Sequence, residues 1–257
     1  MIESFFAELA ALEQVEAIAL GGSRAGDCFD ESSDYDIYLY CTAPVPEESR
    51  KAIYTKFCTY VELGNAFWEL EDNGTLNNGV DFDVLFRNLD DFTADVAGVV
   101  EGCHARNGYT TCMWHNLKTC KIICDKQGRL AAAKMRFDVP YPEQLKVNII
   151  RRNWQLLRQA MPAYEEQIAK AVSRGDLVSV NHRTAALLES YFDLIFALNE
   201  VTHPGEKRLV QLCRQQCKIL PHRFEENLND LFAHLFADPE QAIEDIRMIL
   251  DELEQII

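Results

Sequence analysis

A chain of 257 residues is long enough to bury a sizeable core, as one large domain or two smaller ones. Its 25 Lys and Arg against 41 Asp and Glu leave a net charge of −16, a balance that repels a polyphosphate backbone and disfavours stable nucleic-acid binding. No apolar run approaches the roughly 20 residues of a bilayer span, the first residues do not read as a secretory leader, and the odd count of nine cysteines reads as reduced thiols of a cytoplasmic protein.

Residues 2–14 carry apolar side chains at helical spacing and lead into Val15–Leu20, an apolar run that reads as a buried strand. The run ends at Gly21-Gly22-Ser23, where a glycine turn lets the backbone come close to a phosphate. After a spacer of ten residues stands Asp34-Tyr35-Asp36, followed by Ile37-Tyr38-Leu39-Tyr40 of a second strand. Side chains at i and i+2 of a strand share a face, so Asp34 and Asp36 point the same way. Two adjacent carboxylates repel unless a cation lies between them, and hard oxygen ligands beside a phosphate-binding turn suit Mg²⁺ carrying a triphosphate. A bare Asp-x-Asp reads as a solvated turn before an edge strand; the glycine-serine element at this distance reverses that preference. Asp27, Asp30 and Glu31 read as decoration of the exposed spacer.

Pro44 and Pro46 break the chain, and residues 47–60 read as a helix. Asn73-Gly74 and Asn77-Asn78-Gly79 mark turns ahead of Val80-Asp81-Phe82-Asp83-Val84-Leu85-Phe86, which alternates as a strand with Asp81 and Asp83 on one face. Residues 90–101 are helical, 109–115 fit no single state, Lys121–Asp125 reads as a short strand, and Gln127-Gly128 turns into a helix from Leu130. Pro140-Tyr141-Pro142 reads as a linker that divides residues 1–140 from 141–257. Beyond it helices are expected over 143–173, 176–201, 206–217, 223–237 and 239–257, the last with Asp238 as N-cap ahead of Pro239. An N-terminal α/β region followed by a helical bundle is the layout.

Glu189 and Asp193 are four apart on one face of an otherwise apolar helix, where a carboxylate needs either a basic neighbour such as Arg183 or Arg151 or a functional reason. Lys207 falls in the expected first turn of a helix, where a cation is disfavoured unless an anion is near. Cys120-x-x-x-Cys124 and Cys213-x-x-x-Cys217, with Cys112 and His115 nearby, lack the close pairs of a zinc ribbon and read as ordinary thiols. Trp68, Trp114, Trp154 and Tyr109 are large enough to stack on a base, although such rings more often fill cores. Neither a P-loop nor a dinucleotide-binding glycine motif is present.

Leu20, Gly22, Ser23, Asp34 and Asp36 resemble, position by position, the signature of the nucleotidyltransferase superfamily that includes DNA polymerase β and the aminoglycoside and lincosamide nucleotidyltransferases. The resemblance is firm over roughly the first 100 residues, and covers the rest by helical layout alone. It implies an α+β chain: an N-terminal nucleotidyltransferase domain with a mixed sheet flanked by helices, then a C-terminal all-α helical bundle. It implies a third carboxylate on a neighbouring strand, for which Asp83 is preferred and Asp81 held in reserve. The implied activity is transfer of a nucleoside monophosphate, AMP from ATP, to a hydroxyl of a small-molecule acceptor, with antibiotic-like compounds among the candidates. Two Mg²⁺ ions would be held by Asp34, Asp36 and Asp83, with Gly22, Ser23, Arg24 and Lys207 contacting the nucleotide and Glu189 acting as the general base. The expected partners are a nucleoside triphosphate and the acceptor, with no stable nucleic acid and no membrane, in a monomer or homodimer. The rival readings are a protein-modifying or toxin-neutralising nucleotidyltransferase and a non-catalytic nucleotide-binding protein.

Overall fold

The computed structural model describes residues 1–25, 33–67 and 69–257. Asp27, Asp30, Glu31 and Trp68 lie outside the described residues. The chain forms two compact units: residues 1–97 with 116–139, and residues 98–115 with 140–257. It is α+β, with the sheet in the first unit and an all-helical second unit.

The first unit is built on a six-stranded mixed sheet of order β3-β4-β5-β2-β1-β6. Its strands are β1 (Val15–Leu20), β2 (Tyr35–Cys41), β3 (Cys58–Asn65), β4 (Glu71–Leu76), β5 (Asp81–Arg87) and β6 (Lys121–Asp125). β2 and β5 pair in parallel, and the other neighbours are antiparallel. Every residue of β1 is buried, Glu16 included, whose carboxylate accepts from Arg129 at 2.7 Å. Alternation in β2 sends Ile37 and Leu39 to a core shared with Phe5, Phe6 and Leu9 of helix α1 (Ile2–Ala10) and with Ile53 and Tyr54 of α2 (Glu47–Phe57). Asp36, Tyr38 and Tyr40 point to the opposite face, where Tyr40 meets Phe92 of α3 (Leu89–Val100).

The sequence reading of one helix over 47–60 and a turn at Asn73-Gly74 is corrected here. The helix stops at Phe57, and Cys58–Asn65 and Glu71–Leu76 form an antiparallel pair of strands with Asn73 and Gly74 inside the second. Gly74 suits a strand at this position because the Tyr60 carbonyl and the Phe82 ring would lie 2.6 and 2.7 Å from any Cβ there. A buried ion pair fixes the hairpin to α2: Arg50 meets Asp72, whose carboxylate also accepts from the Tyr54 hydroxyl and the Gly64 amide, both at 2.8 Å.

The unassigned stretch 109–115 becomes, in part, helix α4 (Cys112–Thr119), and α5 (Arg129–Arg136) follows β6. The second unit contains α6 (Glu143–Trp154), a π-turn at Gln155–Gln159, α7 (Tyr164–Ser173), α8 (Leu177–Leu198), α9 (Leu209–Gln216), α10 (Phe224–His234) and α11 (Pro239–Glu254). One helix over 143–173 was expected; Pro162 lies in the break between the π-turn and α7, where a proline cannot continue the hydrogen-bond ladder. α8 runs through the middle of the core, burying Val180, Leu187, Tyr191, Leu194 and Ile195. Asp238 caps α11 by accepting from the Gln241 amide at 3.1 Å. Trp114 and Trp154 are core residues. Among the described residues eight cysteines are free thiols, and no helix is long and apolar enough to cross a membrane.

Candidate functional site

The parallel register of β2 and β5 pairs Tyr35 with Phe82, Asp36 with Asp83 and Ile37 with Val84. Partners in a parallel pair share a face, so Asp36 and Asp83 project from the same side of the sheet. One step before Tyr35 and Phe82 stand Asp34 and Asp81, so that two strands present four carboxylates in two rows. Asp34 and Asp81 are exposed, whereas Asp36 and Asp83 are half-buried.

Each member of the inner pair has its own neighbour. Gly22, at φ +57°, lies against Asp36 so closely that a Cβ there would sit 1.8 Å from Oδ2. The backbone also clasps Asp36, its carbonyl accepting from the Gly21 amide at 2.8 Å. Asn73 Nδ2 donates to Asp83 Oδ1 at 2.7 Å. Asp81 accepts from the Thr75 hydroxyl at 2.7 Å. Two like charges on facing register positions repel. Among the described residues no group of three or more His, Cys, Asp or Glu side chains is gathered to hold a metal ion. A groove of about 360 Å³ is lined by Asp34, Glu62, Asn73, Thr75, Asp81 and Asp83 among others. The donor type and backbone placement fit a hard divalent cation.

Ser23 opens a single 3₁₀ turn, Ser23–Ala25, directly after Gly22. Arg24 donates from Nε to the Ser33 carbonyl at 2.6 Å and lays its guanidinium 4.0 Å over the Tyr35 ring. Tyr35 alternates with Asp36, so Arg24 sits on the α1 face of the sheet, where it lines a cleft of about 910 Å³ with Phe6, Leu20 and Lys121.

Glu189 and Lys207 belong to the second unit. Glu189 is half-buried on α8, and burial pushes its carboxyl up while the charge of His182 lowers it. Gly108, at φ +81°, packs on α8 at this residue, and a Cβ there would lie 2.9 Å from that of Glu189. Beside it stands Tyr109, whose hydroxyl is raised by burial and then by the charges of Glu189 and Glu206. Asp193, one turn further along α8, is 1% exposed and accepts from the Thr110 amide (2.9 Å), the Thr110 hydroxyl (2.7 Å) and Asn153 Nδ2 (3.0 Å). Its place in an apolar helix thus has a structural reason, with neutral donors where a basic neighbour such as Arg183 or Arg151 was one alternative. Burial pushes its carboxyl up to about 6 against the effect of those donors.

Lys207 is exposed and lies in the turn before α9, whose first residue is Leu209; the expected first-turn placement is corrected. His203, just ahead, is fully buried, with its ring edge-on to Tyr109 at 4.8 Å and to Phe196 at 5.0 Å, and burial lowers it to about 4, helped by His115. The residues that sequence reasoning missed are Asn73, which bonds Asp83, and Asn65, which bonds Asn73. The sequence reading ends the helix at residue 60, assigns nothing to 61–72 and places Asn73 in a turn, so neither asparagine reads as a strand residue.

A family model described as a domain of unknown function (DUF4037) matches residues 110–209. None of the curated proteins matches the chain. Among solved structures, the chain is similar to a nucleotidyltransferase-like protein from Exiguobacterium sibiricum 255-15, at 13% identity and a TM-score of 0.43, over 100% of this chain and 74% of that one. It is also similar to an aminoglycoside 6-adenyltransferase from Bacillus subtilis, at 10% identity and a TM-score of 0.29, over 99% of this chain and 90% of that one. At these values neither neighbour assigns a substrate or a residue role to this chain.

Proposed function

We propose that the chain is a nucleotidyltransferase that moves a nucleoside monophosphate, AMP from ATP, onto a hydroxyl of a small molecule. The observation that carries this reading is the parallel register of β2 and β5, with Asp36 opposite Asp83 and Asp34 two residues ahead of the pair. Neighbouring strands run about 4.8 Å apart, so carboxylates on facing register positions are within reach of one ion. Asp34, Asp36 and Asp83 would hold Mg²⁺, which when bound neutralises triphosphate charge and promotes ionisation of the attacking hydroxyl.

The chain's own task is positioning. Gly22, whose Cβ position is taken by the Asp36 carboxylate, is proposed to let the backbone come close to a phosphate, and the Ser23 backbone follows it on a turn that can offer an amide. Arg24 would reach a phosphate only by leaving the Tyr35 ring. Glu189 is proposed to accept the acceptor's hydroxyl proton, since a partly buried carboxylate is a stronger base than an exposed one. Lys207, exposed in its turn, is proposed to contact the triphosphate.

The test is pyrophosphate release from ATP with Mg²⁺ and pools of hydroxyl-bearing acceptors. Asp36→Asn should reduce the rate by about 10²-fold or more, with a melting temperature unchanged or raised because one repulsive charge is gone. Retained release in that variant would reject Asp36 as a ligand. ATP binding by the wild-type chain without release would identify a nucleotide-binding protein that is not a transferase.

A further inference from the structure

Three hydrogen bonds run in one direction and end on Asp83, the last two crossing between strands. The Phe67 amide donates to Asn65 Oδ1 at 3.2 Å, Asn65 Nδ2 donates to Asn73 Oδ1 at 3.2 Å, and Asn73 Nδ2 donates to Asp83 Oδ1 at 2.7 Å. Asn73 and Asp83 are register partners of β4 and β5, while Asn65 faces Glu71 and so lies diagonal to Asn73. The two ends of this chain of bonds are chemically one-way. A backbone N–H can only donate, and an ionised carboxylate can only accept. Each amide between them therefore has one permitted sense, oxygen toward Phe67 and nitrogen toward Asp83. A flip of either would set donor against donor or acceptor against acceptor. The strand beneath is anchored independently by the Arg50–Asp72 pair one residue before Asn73.

We propose that Asn73 is a positioning residue that occupies one oxygen of Asp83 and leaves the other for a divalent cation, and that Asn65 sets the sense of the Asn73 amide. This rests on the reading of Asp83 as a metal ligand. Partners that orient metal-bound carboxylates act by restricting rotation, and their loss typically lowers metal affinity by about 10–100-fold. The neighbouring register pair supplies a natural control: Thr75 donates to Asp81 at 2.7 Å from the equivalent cross-strand position. A threonine at position 73 can thus supply the same donor.

Mn²⁺ binding to the full chain, followed by electron paramagnetic resonance with Mg²⁺ competition, tests the inference. Asn73→Leu, similar in size and without a donor, should weaken Mn²⁺ about 10–100-fold at an unchanged melting temperature. Asn73→Thr should stay within about threefold of wild type, and Asn65→Leu should show a smaller loss in the same direction as Asn73→Leu. Absence of Mn²⁺ binding by the wild type, or undiminished binding by Asp83→Asn, overturns the metal reading and this inference with it. Loss in Asp83→Asn with wild-type affinity in Asn73→Leu, or equal losses in the Leu and Thr variants, overturns the inference alone.

Discussion

Gly22 and Asp36 are packed so that only the absence of a side chain at one lets the other occupy its place: a Cβ on Gly22 would stand 1.8 Å from Asp36 Oδ2. The φ of +57° adds a second constraint, since a left-handed backbone costs a residue with a Cβ about 1–2 kcal/mol. Gly22→Ala is therefore expected to displace the Asp36 carboxylate and lower the melting temperature by several degrees, at about 2–4 °C per kcal/mol for a chain of this size. Thermal denaturation together with Mn²⁺ titration checks it. A variant with wild-type stability and affinity would mean that Asp36 has ample room to turn.

Glu189 should govern the acid side of the rate profile if it is the base. Burial raises its carboxyl above the ordinary range, with His182 opposing. The base must be ionised, so activity falls as pH drops through a midpoint above that of an ordinary glutamate. Glu189→Gln should remove this limb together with most of the turnover. Pyrophosphate release against pH, measured for both forms with one acceptor, decides the matter; a normal rate in the variant eliminates Glu189.

Much of this arrangement is legible in the amino-acid order, for a physical reason. Val15–Leu20 and Tyr35–Cys41 are apolar and aromatic runs interrupted only by Glu16 and Asp36, so apolar composition locates the strand that ends just before Gly22 and the strand that carries Asp36. The Asp34 and Asp36 spacing likewise fixes a shared face without any tertiary information. What sequence period misses is pairing. Cys58–Asn65 is an edge strand with exposed Thr59, Tyr60 and Glu62 and only partly buried Val61 and Leu63, and Gly74 sits in its neighbour where the Phe82 ring and the Tyr60 carbonyl leave no space for a side chain. Asn73 is therefore invisible as a neighbour of Asp83 until β4 and β5 are in register. Asp193 hides for the opposite reason: its partners Thr110 and Asn153 lie 83 and 40 residues away.

Gly108→Ala tests how firmly the segment before α4 is seated on α8. The new methyl would meet the Glu189 Cβ at 2.9 Å and its carbonyl carbon at 3.2 Å, on a φ of +81°. Neither contact lies at the far end of a flexible side chain, so the backbone must move. A loss of about 1–3 kcal/mol is expected in urea unfolding. A loss below about 0.5 kcal/mol, the range of neutral surface changes, would show the segment to be loosely held.

Asp193 should leave a signature in the pH dependence of stability. Burial pushes its carboxyl to about 6 from an ordinary 3.8, against the pull of the Thr110 and Asn153 donors. Between those two values the folded chain keeps a proton that the unfolded chain has released. Stability from this group is therefore fully present below about pH 4, falls as pH rises toward 6, and is constant above it, a change of at most ~3 kcal/mol. Asp193→Asn cannot titrate, so the wild-type advantage over the variant should shrink between pH 4.5 and 6.5. Unfolding free energies of both proteins at several pH values measure the difference directly. An advantage that stays level or grows with pH would mean that the three donors, rather than burial, set the charge of this carboxylate.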